Sequence, residues 1–379
     1  MNKKIAIIAG EASGDLHGAS LIKELKLLDN DIEIYGIGGE KMIASGMTAK
    51  YHINDMAFLG FIEIVKHIPF IRKVKKDLIA LVNDKKIKDV VLIDYPGFNL
   101  SIARSFHKMG LKNFYYISPQ IWAWGKGRIK KIKNLIHKMI VFFPFEEKLY
   151  KDNYVDASFV GHPLVKSINE YRFLSKDELR SKHNLSDQKE ILLLLPGSRK
   201  QELDKILPDL LEAAKKLSNN FDLQIVIACA DNIEEEYFNT VFSNYNFKLV
   251  KGDTYNLLKN SKFSIVKSGT STLEAGIIGN PFIVVYKTNY FTYLIGKALI
   301  KIKNIALVNI VAEKTVIPEL IQDDVNPENI YNVSRKILTD DKYYKSLADN
   351  LLNIKSKLHT EGNPSKKAAE IIYAELNEQ

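Results

Sequence analysis

The hydrophobic residues of this chain fall into short runs, and the longer segments between them show helical periodicity. In the segment 15–28, for example, Leu16, Ala19, Ile22 and Leu25 recur at intervals of three and predict one buried helix face. Short apolar runs that alternate with amphipathic helices are typical of parallel sheets covered by helices. In the first half of the chain we predict strands at 4–9, 32–37, 89–93, 113–117, 138–142 and 157–160.

The chain turns polar and charged from 167 to 190, and a second series of strands follows. We predict these strands at 191–195, 223–228, 247–250, 263–266 and 282–286. The predicted fold is therefore α/β, with two Rossmann-like domains at 1–168 and 169–379 that face an interdomain cleft. Whether the last helices cross back to the first domain or swap between subunits is left open. Ligands of such sheets bind beyond the carboxyl ends of the strands, so we expect the functional residues in the strand-to-helix loops.

Length and composition agree with a folded two-domain protein. The chain has 379 residues, which exceeds the ~250 to 300 at which a single core usually stops growing. Its one cysteine, Cys229, excludes a disulfide within the chain and fits a reducing cytoplasm. No apolar stretch approaches the ~20 residues that a membrane-spanning helix needs, so we expect any membrane contact to be peripheral.

The net charge of +9 favours anionic partners. Basic residues cluster at 66–76 and 125–133, where apolar residues are interleaved with them. That mixture suits a surface against anionic lipid better than a groove for nucleic acid. An ordinary solvated helix face explains either cluster alone equally well.

The loop after the predicted strand 191–195 has the form of a phosphate site. Gly197 lets backbone N–H groups approach an anion, Ser198 supplies a hydroxyl and Arg199 a guanidinium. The alternative is that Arg199 only pairs with Glu202 on the helix surface.

A second loop of this kind follows the predicted strand 263–266, and Glu274 stands one turn into its helix, where it can accept hydrogen bonds from ribose hydroxyls. The loop residues that can donate to a diphosphate are Ser268, Gly269, Thr270, Ser271 and Thr272. Hydroxyl residues also cap helices without any ligand. Two such loops in one domain nevertheless favour a nucleotide diphosphate site.

The first domain offers one candidate general base. Asp94 follows the strand 89–93 directly, although it can equally be a cap for the next turn. The loop 10–15, GEASGD, does not match G-x-G-x-x-G, and we predict that Asp15 caps the first helix. His162 either reaches the cleft or is structural. Trp122 and Trp124 suit a membrane interface or sugar stacking, with core packing as the alternative.

No metal or cofactor is predicted. Asp29 and Asp31 have D-x-D spacing but precede a strand, whereas a catalytic metal pair is expected at a strand's end. The histidines are scattered without the spacing of metal ligands. A transferase that stabilises its leaving diphosphate with helix N-termini needs no metal, and the sugar nucleotide is a substrate.

A set of motifs in a fixed order resembles the lipid-A-disaccharide synthase family, inverting glycosyltransferases of the GT-B fold. These motifs are GEASGD at 10–15, LGFIEI at 59–64, IDYPGFN at 93–99, YISPQIWAWGKGR at 116–128, FVGHPL at 159–164, LLPGSR at 194–199, SGTSTLE at 268–274 and LVNIVAEK at 307–314. One departure is Gly97, which stands where some members have an acidic residue and leaves Asp94 the only carboxylate of its motif.

The resemblance implies a hexosyltransferase of lipid A biosynthesis. UDP-2,3-diacylglucosamine would donate its sugar to 2,3-diacylglucosamine 1-phosphate, giving the β-1,6 disaccharide 1-phosphate and UDP. It implies that Asp94 is the base for the acceptor hydroxyl, that the loops at 197–199 and 268–274 bind UDP, and that Asn309 belongs to a further donor-side motif.

The resemblance also implies a place in the cell. The segment 58–76, apolar and then basic, corresponds to the part of the family that meets the inner membrane, so a cytoplasmic, peripherally bound enzyme is expected. The family can form homodimers by exchanging C-terminal segments. A UDP-sugar 2-epimerase of related fold is the alternative function, and no nucleic-acid partner is expected.

Overall fold

The structure, a computed structural model, describes residues 2–56, 67–123, 126–289, 293 and 303–377. The chain divides into two compact units. The first consists of Met1–Pro163 together with Thr360–Gln379, and the second of Leu164–His359. Two parallel-sheet α/β units are what the sequence predicts.

The first unit is built on a parallel sheet, in which the described residues form seven strands in the order β3-β2-β1-β4-β5-β6-β7. The strands are β1 (Lys4–Ala9), β2 (Glu33–Gly38), β3 (Met47–His52), β4 (Asp89–Ile93), β5 (Lys112–Tyr116), β6 (Lys138–Val141) and β7 (Ala157–Phe159). Strands β1 and β4 pair at the centre, with Ile5 opposite Asp89 and Ala9 opposite Ile93. Every residue of β4 is buried, as expected for a strand covered on both faces.

Helices cover both faces of this sheet. They are α1 (Ala12–Leu28), α2 (Glu40–Ala44), α3 (Ile68–Asp84), α4 (Pro96–Lys108), α5 (Ile129–Leu135) and α6 (Pro144–Lys151), with 3-10 turns at Ile53–Met56 and Lys126–Arg128. Helix α3 buries Val74, Leu78 and Val82 and leaves Arg72 and Lys73 exposed. The spacing of four between its buried residues is the helical period.

The second unit repeats the plan with a parallel sheet, in which the described residues form six strands in the order β10-β9-β8-β11-β12-β13. The strands are β8 (Glu190–Leu195), β9 (Leu223–Cys229), β10 (Lys248–Lys251), β11 (Phe263–Lys267), β12 (Phe282–Tyr286) and β13 (Glu319–Ile321). The helices after the first sheet are α7 (Pro163–Glu170), α8 (Lys176–His183), α9 (Lys200–Phe221), α10 (Glu235–Val241), α11 (Thr254–Asn260), α12 (Thr270–Ile278), α13 (Leu307–Ala312), α14 (Pro327–Thr339), α15 (Asp341–Leu358) and α16 (Pro364–Asn377), with a 3-10 turn at Gln322–Asp324. Within the described ranges, no helix is both long and apolar enough to cross a membrane.

The predicted strands all exist, and β1, β4 and β12 have the predicted bounds. Two strands, β3 and β13, were not predicted. Among the strands that the structure describes, β3 pairs with β2 alone, and it keeps Thr48 and Lys50 exposed, so its sequence lacks the apolar run of a central strand. Strand β13 is three residues long, too short to show a period.

The last helix returns to the first unit, where α16 packs against α1. Ala368, Ala369 and Ile372 are buried in the same hydrophobic cluster as β1. The ammonium of Lys3 donates to the Tyr373 hydroxyl at 2.6 Å. This hydroxyl donates in turn to Asp29 at 3.2 Å. Asp29, the first acid of the D-x-D sequence, is thus part of the anchor of α16, and residues 360–379 belong with the first unit instead of the second.

We expect Ile372→Ala to destabilise the first unit by about 2–5 kcal/mol, because it empties a site where the side chain is fully buried. Leu352→Ala, which truncates a side chain that is 56% exposed, is the control and should change stability by less than about 0.5 kcal/mol. Urea unfolding followed by circular dichroism measures both. Equal costs for the two variants would show that α16 is not docked.

Candidate active site

A cavity of about 600 Å³ opens in the second unit, where β8, β9, β10 and β11 end. The two loops singled out in the sequence both line it. The residues that they contribute are Gly197, Ser198, Ser268, Gly269, Thr270, Ser271 and Glu274. The carboxyl edge of the parallel sheet thus brings together segments that lie some seventy positions apart in the chain.

Two helices begin at this cavity without a side-chain cap. Helix α9 begins after Arg199 and helix α12 after Gly269, and neither preceding residue offers a side-chain oxygen to the first turn. The N–H groups of a helix's first turn have no partner within the helix, and the helix dipole makes that end electropositive. Each helix start can therefore receive an anion.

Gly197 has a backbone that suits glycine. Its φ is +118°, and a Cβ placed on it would lie 2.8 Å from a carboxylate oxygen of Glu202. That carboxylate accepts a hydrogen bond of 2.9 Å from Lys267, the last residue of β11. The Glu202–Lys267 pair joins the loop after β8 to the end of β11, and both side chains line the cavity. Their role is visible only from the fold, because Glu202 looked like a partner of Arg199 in the sequence.

Arg199 is placed as the alternative explanation has it, as an ion-pair partner of Glu202 on the helix surface. Its side chain is 81% exposed, and its guanidinium lies 3.9 Å from Glu202, longer than a hydrogen bond. Arg199 is absent from the described residues that line the cavity. The phosphate contacts predicted for it therefore require a change of rotamer, which a long exposed side chain makes readily.

Glu274 lies in the cavity wall. Its carboxylate accepts a hydrogen bond of 3.3 Å from Tyr255, and burial raises its pKa. The ring of Tyr255 packs edge-on against Tyr171 at 5.2 Å between centroids, and both tyrosines line the cavity. The sequence drew no attention to either tyrosine because both lie in polar segments.

Two residues predicted to contact the donor are structural in this geometry. Thr272 is fully buried, and its hydroxyl donates to the Gly269 carbonyl at 2.8 Å, within the first turn of α12. Asn309 is also fully buried. Its amide donates to Ile317 and to Glu319. Its oxygen accepts from the backbone N–H groups of 316 and 317. All of its hydrogen-bonding capacity is used in holding the segment before β13, so the motif that contains Asn309 supports the second unit from inside.

In the first unit, Asp94 and Tyr95 form a left-handed turn between β4 and α4. Their φ angles are +43° and +45°, which few residues other than glycine adopt. Asn99 stabilises this turn, because its amide donates to the carbonyls of Ile93 at 3.1 Å and Asp94 at 2.8 Å. The buried hydroxyl of Tyr115 donates to the same Asp94 carbonyl.

The ring of Tyr95 fills the space above Gly10, where any Cβ would overlap it. The GEASGD loop and the Asp94 turn are thus packed against one another, and Gly10 is the residue that permits the contact. Glu11 lies close enough for its charge to act on Asp94. Backbone strain of this kind persists only where surrounding contacts enforce it, and it is common at functional sites.

The carboxyl of Asp94 is half-buried, and its pKa is raised to about 6. Burial is the main cause, and the charge of Glu11 adds to it, while a hydrogen bond from the Tyr95 backbone opposes both. A carboxylate with this pKa is ionised at neutral pH yet binds a proton better than an ordinary aspartate. These are the properties of a general base.

The prediction for Asp15 needs correction, whereas for His162 the structure favours one of the two alternatives left open. Asp15 lies inside α1, and its carboxylate accepts from Gly39 at 2.7 Å and Met42 at 3.0 Å, so it caps α2 instead of α1. His162 packs against Phe143, with 5.0 Å between ring centroids, and burial lowers its pKa to about 3. A neutral imidazole held among aromatic rings fits the structural explanation better than an acid–base role.

Trp122 is half-buried, and its indole N–H donates to Glu146 at 3.1 Å. Glu146 is buried, which raises its pKa to about 8 and keeps the carboxyl protonated at neutral pH. Trp122 is thus held in the first unit by Glu146, whereas Trp124 lies outside the described residues. No cluster of three or more His, Cys, Asp or Glu that could hold a metal occurs among the residues that the structure describes.

Both units have known counterparts in fold. UDP-GlcNAc 2-epimerase from Neisseria meningitidis superposes with a TM-score of 0.62 at 13% identity, covering 99% of this chain and 100% of that one. The calicheamicin glycosyltransferase CalG4 gives 0.62 at 12% identity, over 100% and 99% of the two chains. Together with two parallel-sheet units and a pocket at the strand ends, these likenesses define the GT-B class of fold, which serves both transferases and epimerases.

Sequence similarity goes further. The family model described as lipid-A-disaccharide synthetase matches residues 5–372. The lipid-A-disaccharide synthase of Syntrophus aciditrophicus is 40% identical over 373 residues, 97% of each chain. The chain belongs to the lipid-A-disaccharide synthase family and is a glycosyltransferase, as the motifs predicted.

Proposed function

We propose that the chain transfers the sugar of UDP-2,3-diacylglucosamine to 2,3-diacylglucosamine 1-phosphate, giving the β-1,6-linked lipid A disaccharide 1-phosphate and UDP. Family membership supports lipid A disaccharide synthesis over the epimerase reaction, because the likeness to epimerases is one of fold. The observation that carries the mechanism is the pair of uncapped helix starts at one cavity, in a protein whose other unit holds a strained, half-buried aspartate.

The donor's diphosphate would lie at the cavity of the second unit. The helix starts at Arg199 and Gly269 offer backbone N–H groups to the phosphates, and Ser198, Ser268 and Thr270 add hydroxyls. Glu274 would accept hydrogen bonds from the ribose. As the glycosidic bond breaks, negative charge grows on the diphosphate, and fixed dipoles aimed at that charge stabilise the transition state.

Asp94 would activate the acceptor. Its carboxylate takes the proton of the acceptor's 6-hydroxyl while that oxygen attacks the anomeric carbon of the donor. The electron pair of the broken bond leaves with UDP, and attack from the opposite face inverts the anomeric configuration to β. The pKa of about 6 matches this task, because the group is ionised when the substrate binds and still basic enough to accept the proton.

We expect Asp94→Asn to lower kcat by roughly 10²-fold or more while UDP affinity is kept, because the amide cannot take the proton. In the wild type, kcat/KM should fall as the pH drops below about 6, where Asp94 becomes protonated. The residual activity of Asp94→Asn should lack this acidic limb. UDP release measured from pH 5 to 8 gives both profiles, and wild-type turnover in the variant would remove Asp94 from the mechanism.

Gly269 permits a charge test of the donor site. No heavy atom lies within 4 Å of a Cβ placed on it, and its φ of 164° is extended backbone that any residue adopts. Gly269→Asp should keep or raise the melting temperature, since aspartate is a favourable N-cap. It should weaken UDP binding by at least about tenfold, because its carboxylate repels the phosphates.

Gly269→Ala is the matched control, which fills the same space without charge and should change UDP affinity by less than about threefold. Titration calorimetry with UDP compares the two variants. Equal affinities for Gly269→Asp and Gly269→Ala would contradict the placement of the diphosphate at α12.

We further propose that the enzyme lies at the cytoplasmic surface of the inner membrane. Both proposed substrates carry acyl chains, which keep them in the bilayer at about 0.8 kcal/mol per buried methylene. The apolar half of the segment 58–76 falls mainly outside the described residues. Its continuation, the start of α3, exposes Ile68, Arg72 and Lys73.

Replacing Phe61, Ile62 and Ile64 with glutamine should release the protein from vesicles that contain anionic lipid, because the apolar side chains would no longer insert. Leu352→Gln, at an exposed apolar position of α15, is the control and should leave the bound fraction unchanged. Vesicle sedimentation measures the bound fraction. Unchanged binding of the triple variant would contradict membrane contact by this segment.

A homodimer formed by exchange of C-terminal segments stays a prediction. In such an exchange, α16 of one subunit would pack on the first unit of the other. The same residues of α16 that are buried within one chain would then be buried between two chains.

A further inference from the structure

A second cavity, of about 310 Å³, lies in the first unit among α3, α4, α5 and the turn before α5. Four basic side chains line it: Lys75, Arg104, Arg128 and Lys131. As far as the described residues show, its lining contains no carboxylate. We call these four side chains the basic cavity cluster. Nothing in the donor site or in the action of Asp94 uses them.

The cluster concentrates like charges. Lys75 is tethered by hydrogen bonds to the Ser101 carbonyl at 2.9 Å and the Ser101 hydroxyl at 3.3 Å. Burial lowers its pKa, and the charge of Arg104 lowers it further. The charges of Lys75 and Arg104 repel each other, and a bound anion would relieve that repulsion. A cluster that the fold maintains without an acid in its lining is therefore suited to an anionic ligand.

The cavity begins directly beside the proposed base. Pro96 and Gly97, which line it, are the first residues of α4, just after the Asp94 turn. Arg104 lies eight positions further along, and at 1.5 Å per residue the lining extends about 12 Å down the helix. Arg128 links the cavity to the turn from another side, since its charge acts on Tyr115, whose hydroxyl holds the Asp94 carbonyl.

We propose that the basic cavity cluster binds the phosphate monoester of the acceptor and so positions the acceptor's free hydroxyl at Asp94. This inference rests on the proposed function. The acceptor carries its nucleophilic 6-hydroxyl and its 1-phosphate on the two sides of the ring oxygen, a few bonds apart on one sugar ring. When the acceptor's hydroxyl lies at Asp94, its phosphate must lie a short distance away in the same unit. The basic cavity cluster lies close to the Asp94 turn and can bind that phosphate.

The cluster's chemistry also favours a phosphate monoester over a diester. A monoester carries close to two negative charges at neutral pH and presents three terminal oxygens, enough to accept from several cations together. A membrane phosphodiester carries one charge and two such oxygens. A group of four cations around one cavity matches the former better.

The test compares two acceptors. The double variant Arg104→Gln, Lys131→Gln keeps Asp94 and its supporting residues and changes two exposed side chains. Its KM for 2,3-diacylglucosamine 1-phosphate should rise by about tenfold or more, as expected for loss of charged hydrogen bonds. Its KM for 2,3-diacylglucosamine without the phosphate, and for the donor, should stay within about twofold of wild type. Arg335→Gln, an exposed charge change in the second unit, is the control.

Equal losses with both acceptors, or no loss with either, would overturn the proposal. Sedimentation with phosphatidylglycerol vesicles shows whether the cluster binds the phosphate of a lipid headgroup instead of the phosphate of the acceptor. If the double variant leaves the vesicles and still discriminates the two acceptors as the wild type does, the cluster serves lipid headgroups and the proposal is wrong.

A binding experiment without donor tests this inference separately from the proposed function. Titration of the full chain with glucosamine 1-phosphate, with glucosamine as the reference ligand and no donor present, should show phosphate-dependent binding that the double variant loses. If that binding is present while the wild type forms no disaccharide, the anion site stands and the proposed function fails. If the disaccharide forms and glucosamine 1-phosphate binding does not depend on the cluster, the site fails alone.

Discussion

Unpaired N–H groups at helix starts are the constraint on which the proposed donor site depends. In a parallel sheet each strand leads to a helix at the same edge, so helix starts collect there. At β8 and β11 those starts have no side-chain cap, and the Glu202–Lys267 pair fixes the two loops to one another. These helix starts turn the positive ends of their dipoles toward the cavity, and the proposed diphosphate would satisfy donors that the fold leaves open.

The first unit meets a different requirement, which is to keep a carboxylate basic. Two consecutive left-handed residues, Asp94 and Tyr95, turn the chain sharply at the end of β4. Asn99 and Tyr115 bind the carbonyls of this turn, and Tyr95 occupies the space that Gly10 leaves. The backbone is thus held in a conformation that it would otherwise leave, and the carboxyl stays half-buried beside Glu11. Local strain and a raised pKa have the same structural origin.

The sequence predicted most of the fold, because apolar runs such as 89–93 mark central strands whatever their surroundings. It did not predict β3, an edge strand whose Thr48 and Lys50 are exposed. It left open the return of α16 to the first unit, which depends on tertiary contacts. The loops of the donor site were found by their glycine and hydroxyl residues. Asn309 was predicted to lie on the donor side because it stands in a motif, but it is buried in the second unit. A motif does not show whether a residue faces a ligand or the core, whereas burial and hydrogen bonds do.

The most direct measurement is mass analysis of the products formed by the purified protein from UDP-2,3-diacylglucosamine and 2,3-diacylglucosamine 1-phosphate. The account predicts a disaccharide 1-phosphate, with one UDP released for each disaccharide and none beyond the hydrolysis background when the acceptor is omitted. It also predicts no change of UDP-N-acetylglucosamine supplied alone. Formation of the 2-epimer from that compound, without formation of the disaccharide, would contradict the account.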